Sequence, residues 1–222
     1  MTKKSERRVD ALSKQGIIDA AIGILDSDGE AALTFRALAA RLMTGAGAIY
    51  WHISDKDELL VAAVAHVVGR ALRNVAESND ARGAIRALLL GVFDAIEAHP
   101  WVGTQLAREP WQPAMGHVFE GIGSRLAASG VPASRQFEAA SALVNYILGA
   151  AAHRAAAARA LPRGTDRTAF LGSVVARWVG DDIGAYPFVH SVAGQLRDHD
   201  DRAQFLGGID LILAGLDWQI VT

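Results

Sequence analysis

Five side chains between residues 34 and 60 could contact the phosphates and base edges of DNA. Arg36 and Lys56 are cations, Tyr50 and His52 carry hydrogen-bonding groups, and Trp51 offers a large flat ring. A guanidinium can form two parallel hydrogen bonds with guanine O6 and N7, whereas a lysine at the start of a helix can bind a phosphate. These residue types can therefore serve DNA contact if a helix-turn-helix motif presents them.

Two short helices and a tight turn would position these side chains. Thr34 is placed to cap a helix over residues 35–42, whose apolar positions share one face and leave Arg36 on the other. Residues 43–45 are predicted to form the turn, and residues 46–52 a second helix of two turns. Helices this short are marginal in water, so we expect neighbouring helices to hold them.

Longer helices are predicted on both sides of this pair. Ser13 can cap a helix over residues 14–26, and Gly29 can end it. Downstream, Ser54 with Asp57 matches the [ST]xx[DE] capping box at the start of a helix from Asp55 to about residue 76. Residues 13–58 therefore read as a three-helix domain with a helix-turn-helix motif, preceded by a flexible basic tail over residues 1–12.

The composition predicts an all-α fold. Hydrophobic residues make up 51% of the chain but aromatic residues only 7%, and alanine dominates, which favours packed helices over strands. After residue 80, the apolar spacing predicts helices over residues 81–98, 114–129, 134–160, 165–179 and 202–219. The proline-containing stretches 100–113 and 180–187 are expected to be connectors, and residues 188–201 carry no predicted helix.

Several classes of protein are disfavoured by the sequence. The net charge of −2 rules out a basic field over the whole molecule, so any DNA contact must rest on a few placed cations. The chain has no cysteine, no apolar secretory leader and no stretch long enough to span a membrane, which together predict a cytoplasmic protein. The GxSxG, Walker A, HExxH and EF-hand motifs are absent and the histidines lack metal spacing, so we expect no catalytic residue, metal or cofactor.

Residues 13–65 resemble the DNA-binding domain of TetR-family transcriptional regulators. The resemblance is carried by Leu38-Ala39, Leu42, Gly47-Ala48-Ile49-Tyr50, Trp51-His52, Lys56 and Glu58-Leu59-Leu60. The run Tyr50-Trp51-His52 followed by Asp55-Lys56 is similar to the tetracycline-repressor branch. The resemblance implies a homodimeric repressor that binds a palindromic double-stranded DNA operator and responds to a small-molecule effector. It also implies that residues 59–222 form a helical domain for ligand binding and dimerisation.

The resemblance further implies the roles of single residues. Arg36 matches a position that reaches a base edge, Lys56 matches a phosphate-binding lysine, and Tyr50, Trp51 and His52 match DNA-contacting positions. The complete predicted DNA-binding set is Arg36, Thr44, Ala46, Ala48, Tyr50, Trp51, His52 and Lys56. The two alanines can touch the methyl group of thymine.

The turn and the reading helix depart from the family pattern. Met43 replaces the usual glycine, Thr44 the usual valine, and Gly45 the usual serine cap. Residues 46–48 are Ala-Gly-Ala and offer no hydrogen-bonding side chain, so we expect specificity to depend on the flanking residues and on DNA shape. The alternative is a helical small-molecule-binding protein or enzyme whose N-terminal motif no longer reads DNA.

Polar and aromatic side chains in the second region could line a cavity between helices. The predicted ligand-binding residues are Trp101, His117, Asn145, Tyr146, His153 and Trp178. Asn145 and His153 lie near one face of an alanine-rich helix, where a buried polar group needs a partner, and are the preferred pair for ligand or cross-subunit hydrogen bonds. Core packing is the alternative for each residue. The helices over 134–160 and 202–219 match the family's dimer-forming helices, and an interior position is the alternative for them.

Overall fold

The computed structural model describes residues 12–75, 80–160, 164, 166–179 and 184–217, and every regular element within them is helical. These elements are α1 (Lys14–Asp28), a 3-10 helix (Glu30–Ala32), α2 (Phe35–Arg41), α3 (Ala46–Tyr50), α4 (Lys56–Arg73), α5 (Ala81–Ala98), α6 (Pro100–Arg108), α7 (Pro113–Ala128), α8 (Ala133–Ala160), α9 (Arg167–Val179), α10 (Pro187–Asp198) and α11 (Asp201–Asp217). The predicted all-α fold is confirmed. The basic tail up to residue 11, the predicted helix ends at residues 76, 165 and 218–219, and residues 180–183 of the predicted connector lie outside the described residues.

Side chains at the predicted caps begin the first helices. Ser13 Oγ accepts a hydrogen bond from the Gly16 amide at 3.0 Å, which caps α1. Thr34 Oγ1 accepts one from the Ala37 amide at 3.1 Å and caps α2. These helices pack with α3 and α4 around fully buried apolar side chains, which include Ile17, Leu38, Ile49 and Leu59. We call α1–α3 and the start of α4 the head.

The capping box of α4 lies one residue later than predicted. Asp55 Oδ1 accepts from the Glu58 amide at 2.8 Å, and Glu58 Oε2 accepts from the Ser54 amide at 2.8 Å. Both Ser54 with Asp57 and Asp55 with Glu58 satisfy the spacing rule, so the local sequence cannot separate them. Lys14 of α1 decides between them, because its Nζ binds Glu58 Oε1 at 2.8 Å.

Two helices that begin with proline were predicted as connectors or left without assignment. Pro100 occupies the first turn of α6, and Pro187 the first turn of α10. A proline is compatible with this position because the first amides of a helix have no partner within the helix. Treating Pro100 and Pro187 as helix breakers was therefore wrong, and for α6 the error conceals residues that contact the head.

Helix α8 lies at the centre of the C-terminal region and packs against α5, α6, α7 and α11. Its contact with α6 is close, because a Cβ at Gly103 would lie 2.8 Å from the Ala151 carbonyl oxygen. Ala151 and Ala155 of α8 are buried within their own chain. Phe205, Ile209 and Leu213 of α11 are also interior.

Candidate nucleic-acid interface and its connection to the C-terminal region

The outer surface of α2 and α3 carries the predicted base-contacting and aromatic residues. Arg36 is exposed on α2, and the exposed fractions of Tyr50 and Trp51 are 57% and 89%. The Tyr50 ring stacks on Phe35, with 4.4 Å between ring centroids and 10° between planes. This contact fixes the aromatic end of α3 against the first turn of α2, so the two helices present one surface.

The turn between α2 and α3 places a methionine in a backbone conformation that favours glycine. Met43 has φ of 52°, in the left-handed region that glycine adopts at little cost. The Thr44 amide donates to the Ala39 carbonyl at 3.0 Å and closes the turn. A non-glycine residue in this conformation costs on the order of 1 kcal/mol, which the closed turn must offset.

Helix α3 presents a small surface and is shorter than predicted. It ends at Tyr50 rather than His52, and no side chain caps it at Gly45. Ala46 and Ala48 are half-buried, while a Cβ at Gly47 would meet nothing within 4 Å. His52 is half-buried, and its amide donates to the Ile49 carbonyl at 2.9 Å in a final turn. A helix with this small profile can approach the floor of a major groove, which is about 12 Å wide.

Lys56 at the start of α4 has a partner within the chain. Its Nζ donates to the Glu30 carbonyl oxygen at 2.8 Å, and its side chain is half-buried. A cation in the first turn of a helix opposes the helix dipole, and this carbonyl offsets part of that cost. The ammonium has further donors, so a phosphate contact by Lys56 remains a prediction.

Two carboxylates of the head bind α6, and sequence reasoning missed both. Glu30 accepts hydrogen bonds from Gln105 Nε2 at 2.7 Å and from Arg108 Nη1 at 3.0 Å. Asp26 Oδ1 accepts from Trp101 Nε1 at 2.7 Å and lies 2.8 Å from His99 Nδ1. These partners lie more than 70 positions apart in the sequence, and no local signal pairs them once α6 is read as a connector.

The six predicted ligand-binding residues differ in exposure and in their partners. Trp101 is buried where α1 meets α6, and its indole is used by Asp26. Tyr146 is half-buried, its hydroxyl donates to the Phe205 carbonyl at 3.2 Å, and burial raises its pKa. The remaining four, His117, Asn145, His153 and Trp178, are exposed.

Two further properties concern the described parts of the chain only. None of the helices seen there combines the length and apolar character needed to cross a membrane. No three histidine or acidic side chains among those residues are grouped so that they could hold a metal ion.

Comparison with known proteins gives a consistent result for the head and for the whole fold. Residues 17–63 match the family model described as bacterial regulatory proteins, tetR family. The structure of the transcriptional regulator SCO7222, a TetR from Streptomyces coelicolor, is 50% identical in sequence, superposes with a TM-score of 0.80, and is matched over 92% of this chain and 97% of its own.

Two curated relatives extend the comparison. An HTH-type transcriptional regulator of Saccharopolyspora erythraea is 31% identical over 148 residues, which are 66% of this chain and 63% of that protein. The tetracycline repressor protein class D of Escherichia coli is 27% identical over 222 residues, covering 95% of this chain and 92% of the repressor. The helix-turn-helix frame, the all-helical architecture and a half-identical relative of nearly equal extent agree, and the chain belongs to the TetR family of bacterial transcriptional regulators.

Proposed function

We propose that this regulator is a homodimeric repressor, which binds a palindromic DNA operator through α2 and α3 of each subunit and is released when a small molecule binds the C-terminal region. It would act in the cytoplasm, where bacterial DNA lies. The observation that carries the proposal is the exposed surface of Arg36, Tyr50 and Trp51, held by the Phe35–Tyr50 stack on a buried frame.

The DNA contacts divide into those that read bases and those that fix position. Arg36 is exposed and can reach guanine, and the half-buried methyl groups of Ala46 and Ala48 can meet thymine. Tyr50, Trp51 and His52 lie at the end of α3 and Lys56 at the start of α4, and phosphate contacts by these residues would set the depth of α3 in the groove. Thr44 adds a hydroxyl at the turn.

A second copy of the chain is proposed to pack on α8 and α11. The exposed residues Ala142, Asn145, Gly149, Ala152 and Ala156 recur at spacings of three and four along α8. Such a stripe of small residues permits close helix packing, and α11, which packs beside α8, adds an exposed Leu211. Exposed polar groups at this face, including Asn145 and His153, would then form cross-subunit hydrogen bonds.

The hairpin formed by α9 and α10 supports the same assembly. Its two helices pack chiefly on each other, and Phe188 and Trp178 are 74% and 54% exposed. Large exposed aromatic side chains on a pair of helices that packs mainly on itself favour an interaction site. We therefore assign the hairpin to the subunit interface as well.

A small-molecule effector is proposed from the family and from the C-terminal region. One relative is named as a tetracycline repressor, which links repression with a small molecule in that protein. The predicted set Trp101, His117, Asn145, Tyr146, His153 and Trp178 remains our candidate for ligand contact. Its exposed members are expected to approach one another only when two copies meet.

A second candidate function is a helical small-molecule-binding protein or enzyme that has lost DNA recognition. The observation in its favour is the surface of α3, where residues 46–48 are Ala-Gly-Ala. The family relatives are transcriptional regulators, which favours the first candidate.

Selection of duplexes from a random DNA library, followed by affinity measurements at several salt concentrations, tests the proposed function. Arg36→Ala should cost ~1–3 kcal/mol and relax preference at one base pair, because a base contact is lost. Lys56→Ala should weaken all duplexes alike and lower the salt slope by about one. Arg135→Ala removes an exposed cation that pairs with Glu138 on α8 and serves as the control. Absence of a selected sequence, or affinity that does not fall with salt, would favour the second candidate.

A further inference from the structure

We propose that Glu30 is a positioning residue that connects α6 to Lys56, so that a displacement of α6 changes the setting of the DNA-facing lysine. The carboxylate of Glu30 binds α6, and the carbonyl of the same residue binds Lys56. The inference rests on the proposed function, because it treats Lys56 as a phosphate contact.

The contact between Glu30 and α6 has a buried part and an exposed part. Gln105 is 7% exposed, and its amide donates to Glu30 Oε2 at 2.7 Å. Arg108 forms two bonds to the same carboxylate, at 3.0 and 3.3 Å, which raise the pKa of its guanidinium. Because the Arg108 side chain is 57% exposed, water screens this pair, and the buried Gln105 amide contributes the firmer attachment.

The contact between Glu30 and Lys56 is made by the backbone. The Glu30 carbonyl oxygen accepts from Lys56 Nζ at 2.8 Å and from the Leu33 amide at 3.2 Å. The second bond belongs to the 3-10 helix Glu30–Ala32, which joins α1 to the segment before α2. Since carboxylate and carbonyl belong to one residue in this short element, movement of one displaces the other over a few bonds.

The remaining contacts of α6 make such movement consequential. The start of α6 is attached to the end of α1, because Asp26 binds both His99 and Trp101. Its opposite side lies against α8, where Gly103 approaches the Ala151 carbonyl. Helix α6 is therefore held between the C-terminal core and the head at both ends, and a change in its packing on α8 is transmitted to Glu30.

The test uses the full-length protein and two variants, Arg108→Ala and Gln105→Ala with Arg108→Ala. The first readout needs no DNA: the rate at which an N-hydroxysuccinimide ester labels Lys56, measured by mass spectrometry. Lys14, which pairs with Glu58, provides an internal reference in every sample. The second readout is affinity for a duplex selected by the wild-type protein, measured with and without Lys56→Ala. Arg135→Ala is the control variant.

We expect the double variant to label Lys56 roughly threefold to tenfold faster, the change that follows from weakening the Lys56–Glu30 hydrogen bond by about the net contribution of an ordinary hydrogen bond. DNA affinity should fall by a similar factor, and the variant should cause no further loss when Lys56 is already alanine. An unchanged Lys56 labelling rate, or losses of affinity that add independently, would overturn the inference. If the wild-type protein selects no DNA, the proposed function fails, and the labelling rate still decides whether Glu30 positions Lys56. Arg108→Ala alters an exposed side chain, so it keeps the test valid if the double variant does not fold.

Discussion

The α2–α3 pair and the α9–α10 pair each consist of two helices that are consecutive in the chain, and the shorter pair is the better packed. Helices α2 and α3 have 7 and 5 residues, yet Leu38 and Ile49 are completely buried. Helices α9 and α10 have 13 and 12 residues, and Val179 is the only side chain classed as buried in the described part of that hairpin. Helix length therefore does not determine which pair is firmly held.

The difference in packing comes from the helices that surround each pair. The short pair packs against α1 and α4, which compensate for the low intrinsic stability of short helices. The long pair is tied at its base, where Arg167 binds the His199 carbonyl and the carboxylate of Asp201, which also binds Arg154 of α8. Apart from this attachment, its two helices pack chiefly on each other within the described residues.

The largest expected effect is in the short pair. Ile49→Ala should lower the free energy of unfolding by about 2–5 kcal/mol, because it leaves a cavity in the core of the head. Phe188→Ala, in the long pair, should change the free energy of unfolding of the separated subunit by less than about 0.5 kcal/mol, since the Phe188 side chain is mostly exposed. Chemical denaturation at low protein concentration measures both. Similar losses of unfolding free energy in the two variants would mean that the two helix pairs are packed alike.

The next effect concerns assembly. Phe188→Asp should weaken dimerisation roughly tenfold or more, because a charge would be buried among apolar side chains at the proposed interface. Trp111→Asp changes a residue that is 91% exposed in the loop between α6 and α7 and should leave dimerisation unchanged. Sedimentation velocity over a range of concentrations gives the dissociation constants. Equal behaviour of the two variants would exclude the hairpin from the interface.

A smaller effect separates stability from recognition within the short pair. Gly47→Ala should raise the free energy of unfolding by about 0.5–1 kcal/mol, because Gly47 lies in a helix and a Cβ there meets open space. The same methyl group should reduce affinity for a selected duplex if α3 lies deep in the groove. Thermal unfolding and DNA titration test the two halves of this prediction. A gain in both stability and affinity would contradict deep insertion.

The smallest effect is on the pH dependence of the α4 cap. The hydrogen bond from Lys14, together with those from the Ser54 amide and hydroxyl, lowers the pKa of Glu58 to about 2 from 4.5. The stabilisation is therefore complete above pH 4.5 and is lost as the pH falls from there towards 2. Glu58→Gln should reduce the loss of stability across this window. Unfolding curves at several pH values measure this dependence. A pH dependence of stability that Glu58→Gln leaves unchanged would contradict the prediction.

The head was predictable because its signals are local. Ser13 and Thr34 cap their helices through amides three residues ahead, and the apolar spacing places Leu38 and Ile49 in the core. The α4 cap was displaced by one residue because Lys14, 44 positions away, binds Glu58. Local rules gave the kind of cap, and a tertiary contact determined its position.

The connection between the two regions could not be predicted in the same way. A proline inside an apolar pattern is compatible with either a break or a first turn, and the choice at Pro100 decides whether α6 exists. If α6 is not predicted, the carboxylates of Glu30 and Asp26 have no predicted partners, and the sequence gives no reason to treat them as more than surface residues. The ligand-binding residues remain predictions because their surroundings depend on a second copy and on a bound molecule.

Because Gly103 lies close to Ala151, we expect substitutions at position 103 to alter regulation. A Cβ at position 103 would meet a backbone oxygen, which cannot rotate away as a side chain would. Gly103→Ala would therefore push α6 off α8 towards Asp26 and Glu30 without any effector. In a reporter strain, such an allele is expected to behave as if the inducer were always present. The packing of one glycine would then set the effector concentration at which the protein leaves its operator. Substitutions at this position would therefore tune the sensitivity of the protein as a biosensor.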